Sequence, residues 1–91
     1  KAAVVALVKS LAREFAQDGI TVNVVSPGAA DTPMLRTGMS KEDLANFEEK
    51  IPLGRFATVE EVAAPCLFLG SDESRYITGA TLDVNGGMLM R

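Results

Sequence analysis

Ninety-one residues with a formal net charge of −3 make one domain or part of one, with a thin core, because a chain this short buries only roughly 60–65% of its unfolded surface. The acids and bases are interspersed, so there is no basic face for DNA or RNA, and the apolar runs fall far short of the ~20 residues of a membrane span. One cysteine, Cys66, and no histidine exclude an internal disulfide and leave no zinc pattern, so no metal is expected and a reducing cytoplasm is the default compartment.

The chain opens at Lys1 on a helical pattern with no capping residue before it. That beginning leads to the expectation of a carboxy-terminal part of something larger. Residues 1–18 predict a helix, with Val4, Leu7, Val8, Leu11, Ala12 and Phe15 on one face, Lys9, Arg13 and Gln17 opposite, and Gly19 as its stop. Residues 20–25 predict a strand that is apolar on both faces, as in a covered parallel sheet. Pro27-Gly28 is expected to end it, Pro by withholding a donor and Gly by tolerating positive φ. Thr32-Pro33 has the form of a helix N-cap followed by N1, and Gly38 soon interrupts that helix. Ser40 to Asp43 resembles a capping box before a short helix carrying Leu44 and Phe47. Residues 33–54 are therefore short amphipathic pieces joined by breakers, the composition of a movable flap.

Thr58-Val59-Glu60-Glu61 is a cleaner capping box. It opens a helix bearing Val62, Ala63, Cys66, Leu67 and Leu69, in which Pro65 predicts a kink or an irregular turn. The second strand lies within residues 76–84, most strongly over 81–84, and Asn85-Gly86 follows as a terminal loop. Two strands about fifty residues apart, with helical pattern between, imply a parallel crossover. A covered parallel sheet needs more strands and helices than these, which is a physical reason, independent of any family, to expect a fragment.

Taken in order, these segments resemble the carboxy-terminal part of the short-chain dehydrogenase/reductase family. The residues that carry the resemblance are Lys1-Ala2-Ala3, Ser10 to Glu14, Asn23-Val24-Val25-Ser26-Pro27-Gly28 and Asp31-Thr32. They continue with Pro52-Leu53-Gly54-Arg55, Glu60-Glu61-Val62-Ala63, Phe68 to Asp72, Ile77-Thr78-Gly79 and Val84-Asn85-Gly86-Gly87. The resemblance implies an α/β fold, the helix-strand-helices-strand end of a doubly wound parallel-sheet (Rossmann-type) domain, with NAD or NADP as cofactor and residues 1–91 as a carboxy-terminal fragment of that single domain. It implies that Lys1 is the catalytic lysine of a Tyr-x-x-x-Lys motif whose tyrosine lies four places earlier, outside this chain. A lysine there lowers the phenol pKa from near ~10 and, in the family, also bonds the nicotinamide ribose. On position alone Lys1 reads as a solvated first-turn residue that opposes the helix dipole.

The resemblance further implies a cofactor-binding turn. Pro27 and Gly28 would lie along one nicotinamide face, the Ala30 peptide would pair with the carboxamide, and the Thr32 hydroxyl would bond there or to the phosphates. Many relatives carry Ile or Val where this chain has Ala30. Residues 33–54 correspond to the family's substrate lid, in which Met34, Leu35, Met39, Leu44 and Phe47 either line an apolar pocket or form ordinary core. The closing helix and strand correspond to the elements of a homotetramer, and Asn85 replaces the commoner Asp in a structural role.

Within the family, residues 19–25 and 84–88 look most similar to reductases of 3-oxoacyl groups on acyl carrier protein. Asp18 departs from them, since a basic residue often stands there for an acidic carrier. A reductase of free alcohols, sugars or ketones remains the alternative, as does a fragment inactive alone that serves as an assembly surface. No nucleic-acid or membrane partner is expected, only a small-molecule or carrier-bound acyl substrate.

Overall fold

The computed structural model describes residues 1–90. Helix α1 spans Ala2–Phe15 and continues as a single 3-10 turn over Ala16–Asp18. It stops at Gly19, whose φ of 74° places it in the left-handed region where glycine carries no Cβ penalty. The expected stop is thus met, with a tightened last turn.

Strands β1 (Val24–Pro27) and β2 (Thr81–Val84) form a two-stranded sheet. The Val24 N–H donates to the Ala80 carbonyl at 2.9 Å and the Gly28 N–H to the Val84 carbonyl at 2.9 Å. Equal steps in the same direction along both segments make the pair parallel, as the crossover pattern implies. The first strand nevertheless begins later than residue 20, because side chains replace the ladder before Val24. The Val22 N–H donates to Thr78 Oγ1 at 3.1 Å. Asn23 spans the gap from both ends of its amide, donating Nδ2 to the Ile77 carbonyl at 3.1 Å and accepting from the Ala80 N–H at 3.0 Å. β1 ends at Pro27, where Pro27-Gly28 is expected to end it, and one further bond from the Gly28 N–H follows.

Helices α2 (Pro33–Gly38), α3 (Lys41–Glu49) and α4 (Val59–Leu69) lie between the strands. Each begins at its expected cap. Thr32 Oγ1 accepts from the Leu35 N–H at 3.3 Å and Ser40 Oγ from the Asp43 N–H at 3.1 Å. At Thr58 the box is reciprocal: Thr58 Oγ1 accepts from the Glu61 N–H at 3.1 Å while Glu61 Oε1 accepts from the Thr58 N–H at 2.9 Å. Pro65 does not produce the irregular turn its ring suggested, since α4 remains helical through Leu69.

The chain divides into two compact units, residues 1–26 with 64–82 and residues 27–63 with the segment from Asp83 onward. In the first, Ala12 and Ser74 are buried, and the Ser74 hydroxyl donates to the Ser71 carbonyl at 3.1 Å. Val4 and Leu7 of α1 stay more than half exposed, and Leu67 of α4 is 75% exposed. The second unit has a core of Leu44, Ile51 and Phe56, with Ala29, Leu35, Met39 and Phe47 packed against it. The Phe47 and Phe56 rings meet at 5.7 Å between centroids, tilted by 54°, a favourable aromatic geometry.

Candidate active site

The turn at the carboxyl end of β1 is fixed by its neighbours in the second unit. Gly28 is absent from the positive-φ residues, so conformational freedom is not why glycine stands there. A Cβ on Gly28 would lie 2.9 Å from Asn85 Cβ and 3.0 Å from Asn85 Cα. Close approach of two backbones is the requirement, which corrects the expectation from turn chemistry. Asn85 is held in turn by its own loop, its Oδ1 accepting from the Gly87 N–H at 3.0 Å and its Nδ2 donating to the Leu89 carbonyl at 3.0 Å. Gly86, at φ 64°, would place a Cβ 2.7 Å from Ile51 Cγ2. The structural role expected of Asn85-Gly86-Gly87 follows from these contacts.

Ala30 forms an isolated parallel bridge with Ala57. Its two hydrogen bonds run from the Ala57 N–H to the Ala29 carbonyl at 3.1 Å and from the Asp31 N–H to the Ala57 carbonyl at 2.8 Å. In a parallel bridge the flanking residues make these bonds, and the central residue's own N–H and C=O face the opposite edge. No hydrogen bond among the described residues engages the Ala30 N–H or carbonyl. Half-buried Ala30 therefore presents one donor and one acceptor side by side, on a segment locked from behind. Ala57, the residue that does the locking, carries no sequence signal beyond its place after Phe56.

Thr32 is half-buried and caps α2 with its oxygen lone pair, while no hydrogen bond among the described residues uses its hydroxyl proton. Beyond it, Ala30, Thr32, Met34, Leu35, Gly38 and Met39 line an open, largely apolar groove. The five apolar residues of the flap thus divide. Leu44 is core and Phe47 packs on it, whereas Met34, 82% exposed, Leu35 and Met39 border the groove. Lys1 belongs to the first unit, where it stands exposed at the N-cap position of α1 with no capping bond from its side chain, and its carbonyl accepts from the Val5 N–H at 3.1 Å.

Two bidentate ion pairs flank the turn residues along the chain. Arg36 Nε and Nη2 donate to the two carboxylate oxygens of Asp31 at 2.7 and 2.9 Å, and this pairing lowers the Asp31 pKa. Arg55 donates to both oxygens of Glu61 at 2.7 Å. With the Thr58 N–H added, Arg55 holds the Glu61 carboxyl down to about 2. Sequence reasoning missed both pairs, although an acid five or six residues from an arginine across a cap was visible. Among the described residues no cluster of acids or cysteines has the makings of a metal site, and no helix is long and apolar enough to cross a membrane.

A parallel strand pair joined through helices is the connectivity of part of a Rossmann-type α/β domain. A family model described as Enoyl-(Acyl carrier protein) reductase matches residues 1–89. The 3-oxoacyl-[acyl-carrier-protein] reductase FabG of Salmonella typhimurium is 50% identical over 90 residues, covering 99% of this chain and 36% of that protein. An uncharacterized short-chain type dehydrogenase/reductase, y4mP, of Sinorhizobium fredii is 48% identical and the acetoacetyl-CoA reductase of an Acinetobacter species 43% identical, each with 99% of this chain and 36% of the relative covered. The chain belongs to the short-chain dehydrogenase/reductase family. It spans 36% of the length of these curated relatives.

The residues present fit a nicotinamide cofactor. A primary carboxamide carries both N–H donors and a carbonyl acceptor, and Ala30 offers the complementary acceptor and donor along one backbone edge.

Proposed function

We propose that this chain is the carboxy-terminal part of a reductase that uses NAD(H) or NADP(H) and reduces the keto group of a 3-oxoacyl thioester. The observation that carries the reading is the Ala30 peptide, left open by its bridge at the carboxyl end of β1, where doubly wound sheets hold their ligands. The names of the FabG and acetoacetyl-CoA reductase relatives support the substrate class.

When bound, the nicotinamide supplies or accepts the hydride. The Ala30 N–H and carbonyl would hold the carboxamide, the backbone of Pro27 and Gly28 would line the ring, and the Thr32 proton would serve the carboxamide or the phosphates. The Lys1 ammonium acts on the tyrosine expected four positions before it in the full-length protein. A nearby cation favours phenolate, so the phenol is able to give its proton to the substrate oxygen and regain it near neutral pH. The groove bordered by Met34, Leu35 and Met39 takes the acyl chain. The full-length protein works in the cytoplasm as a homotetramer.

Asp18, exposed where α1 ends, favours a second reading, because a carboxylate there repels an acidic carrier protein. On that reading the substrate is a free ketone, sugar or alcohol. A panel of 3-oxoacyl thioesters and simple ketones, each with NADH and NADPH, separates the two in the full-length protein. The proposal predicts kcat/KM for a 3-oxoacyl thioester at least about tenfold above any simple ketone. Turnover of ketones alone would refute it.

A further inference from the structure

Helix α2 is the weakest-held element of the second unit. It has six residues, none of them buried, and a helix that short has no independent stability in water. Half-buried Leu35 touches the core, but Met34 points into water at 82% exposure. The remaining attachments are polar and run backwards to two residues: the Thr32 cap at 3.3 Å and the Asp31–Arg36 fork at 2.7 and 2.9 Å.

Asp31 is a firm anchor for that fork. Its N–H donates to the Ala57 carbonyl at 2.8 Å as half of the bridge that leaves the Ala30 peptide open. Its carboxylate therefore stands on the same locked segment as the open donor and acceptor, one residue away. Arg36 sits in the last turn of α2, so the pair ties the far end of the helix, and not merely its cap, to that segment. Glu48 of α3 also attracts Arg36, more weakly than Asp31 does. A planar fork that matches a carboxylate at two points fixes orientation as well as distance.

We propose that Asp31 and Arg36 are positioning residues, a latch holding α2 in register with the Ala30 peptide so that coenzyme at Ala30 and order in α2 reinforce each other. The coupling rests on the coenzyme reading above, whereas the hold on α2 does not.

The test uses the full-length protein as wild type, Asp31→Asn, Arg36→Gln and the charge-reversed Asp31→Arg/Arg36→Asp pair. Amide hydrogen exchange over residues 34–38 reads the latch, and titration with NADH and NADPH reads the coupling. Each single variant is expected to speed exchange about two- to fivefold and to weaken the bound coenzyme by a similar factor, the range of an exposed ion pair. The reversed pair is expected to restore both. Unchanged exchange in the single variants, or single-variant losses that the reversed pair leaves in place, would overturn the latch. Normal wild-type coenzyme binding with the same affinity in Asp31→Asn would overturn the coupling alone. A wild type that binds neither coenzyme would overturn the coupling together with the coenzyme reading.

Discussion

The two units of this chain keep their form by different means. The second has an apolar centre, in which Leu44, Ile51 and Phe56 are each less than 10% exposed, and its glycines let backbone segments touch at distances a Cβ would forbid. The first buries only Ala12 among its apolar side chains, leaves Val4, Leu7 and Leu67 open, and joins its strand segments through polar side chains, above all Asn23. Apolar packing is non-directional and roughly proportional to area, while a side-chain clamp is directional and fails as a unit when one atom is removed. The turn after β1 is accordingly built on the packed unit, where Ala29 rests on the core and Ala57 locks Ala30 from behind.

The largest effect should come from hollowing the packed centre. Phe56→Ala removes a side chain that is 6% exposed and stacked on Phe47, and urea denaturation of the full-length protein should show a loss of about 3–5 kcal/mol. A loss below about 1 kcal/mol would mean the cluster is not a core at all. The clamp in the other unit should give a smaller response. Asn23→Ala strands the half-buried Ala80 N–H and frees the Ile77 carbonyl, at a cost of about 1–3 kcal/mol. A cost equal to that of Phe56→Ala would erase the distinction between the units.

The smallest effect is one of pH. Glu61 has a folded pKa of about 2 against an ordinary 4.5, first through Arg55 and then through the Thr58 N–H. A depressed carboxylate contributes stability that is fully present above its unfolded pKa and is lost as pH falls through its folded one. Wild type should therefore lead Glu61→Gln above pH 4.5, and the lead should shrink steadily toward pH 2. A lead independent of pH would show that the Glu61 charge contributes nothing.

Much of this was legible in the sequence because it depends on local chemistry. Thr32-Pro33, Ser40 and Thr58 to Glu61 are caps that satisfy orphan N–H groups within three residues, and each caps as read. Gly19 stops its helix in the left-handed region. Sequence misleads where a distant partner decides the outcome. Local turn chemistry points to conformational freedom at Gly28, because Asn85, 57 positions later, gives no sign in sequence that it presses against it. The strand start shifted because Asn23 and Thr78 substitute side chains for a ladder, and alternation of apolar residues does not encode that. Met34 and Leu44 have the same amphipathic pattern, and only packing separates the groove residue from the core residue. The family resemblance alone names Pro27, Gly28, Ala30 and Thr32 as cofactor residues, whereas the open backbone at Ala30 needed the bridge to Ala57 to be seen.

That peptide is the point on which the functional account turns. Ala30→Pro deletes its N–H, while both bridge bonds remain available because they belong to Ala29, Asp31 and Ala57. Ala30→Val keeps the N–H and adds bulk of the kind the family resemblance associates with this position. Coenzyme titration of the full-length protein, with thermal melts to verify folding, should find Ala30→Val within about threefold of wild type and Ala30→Pro weaker by about tenfold, the value of one lost hydrogen bond in a desolvated site. Wild-type affinity in a folded Ala30→Pro variant would contradict the assignment of the turn as the nicotinamide site.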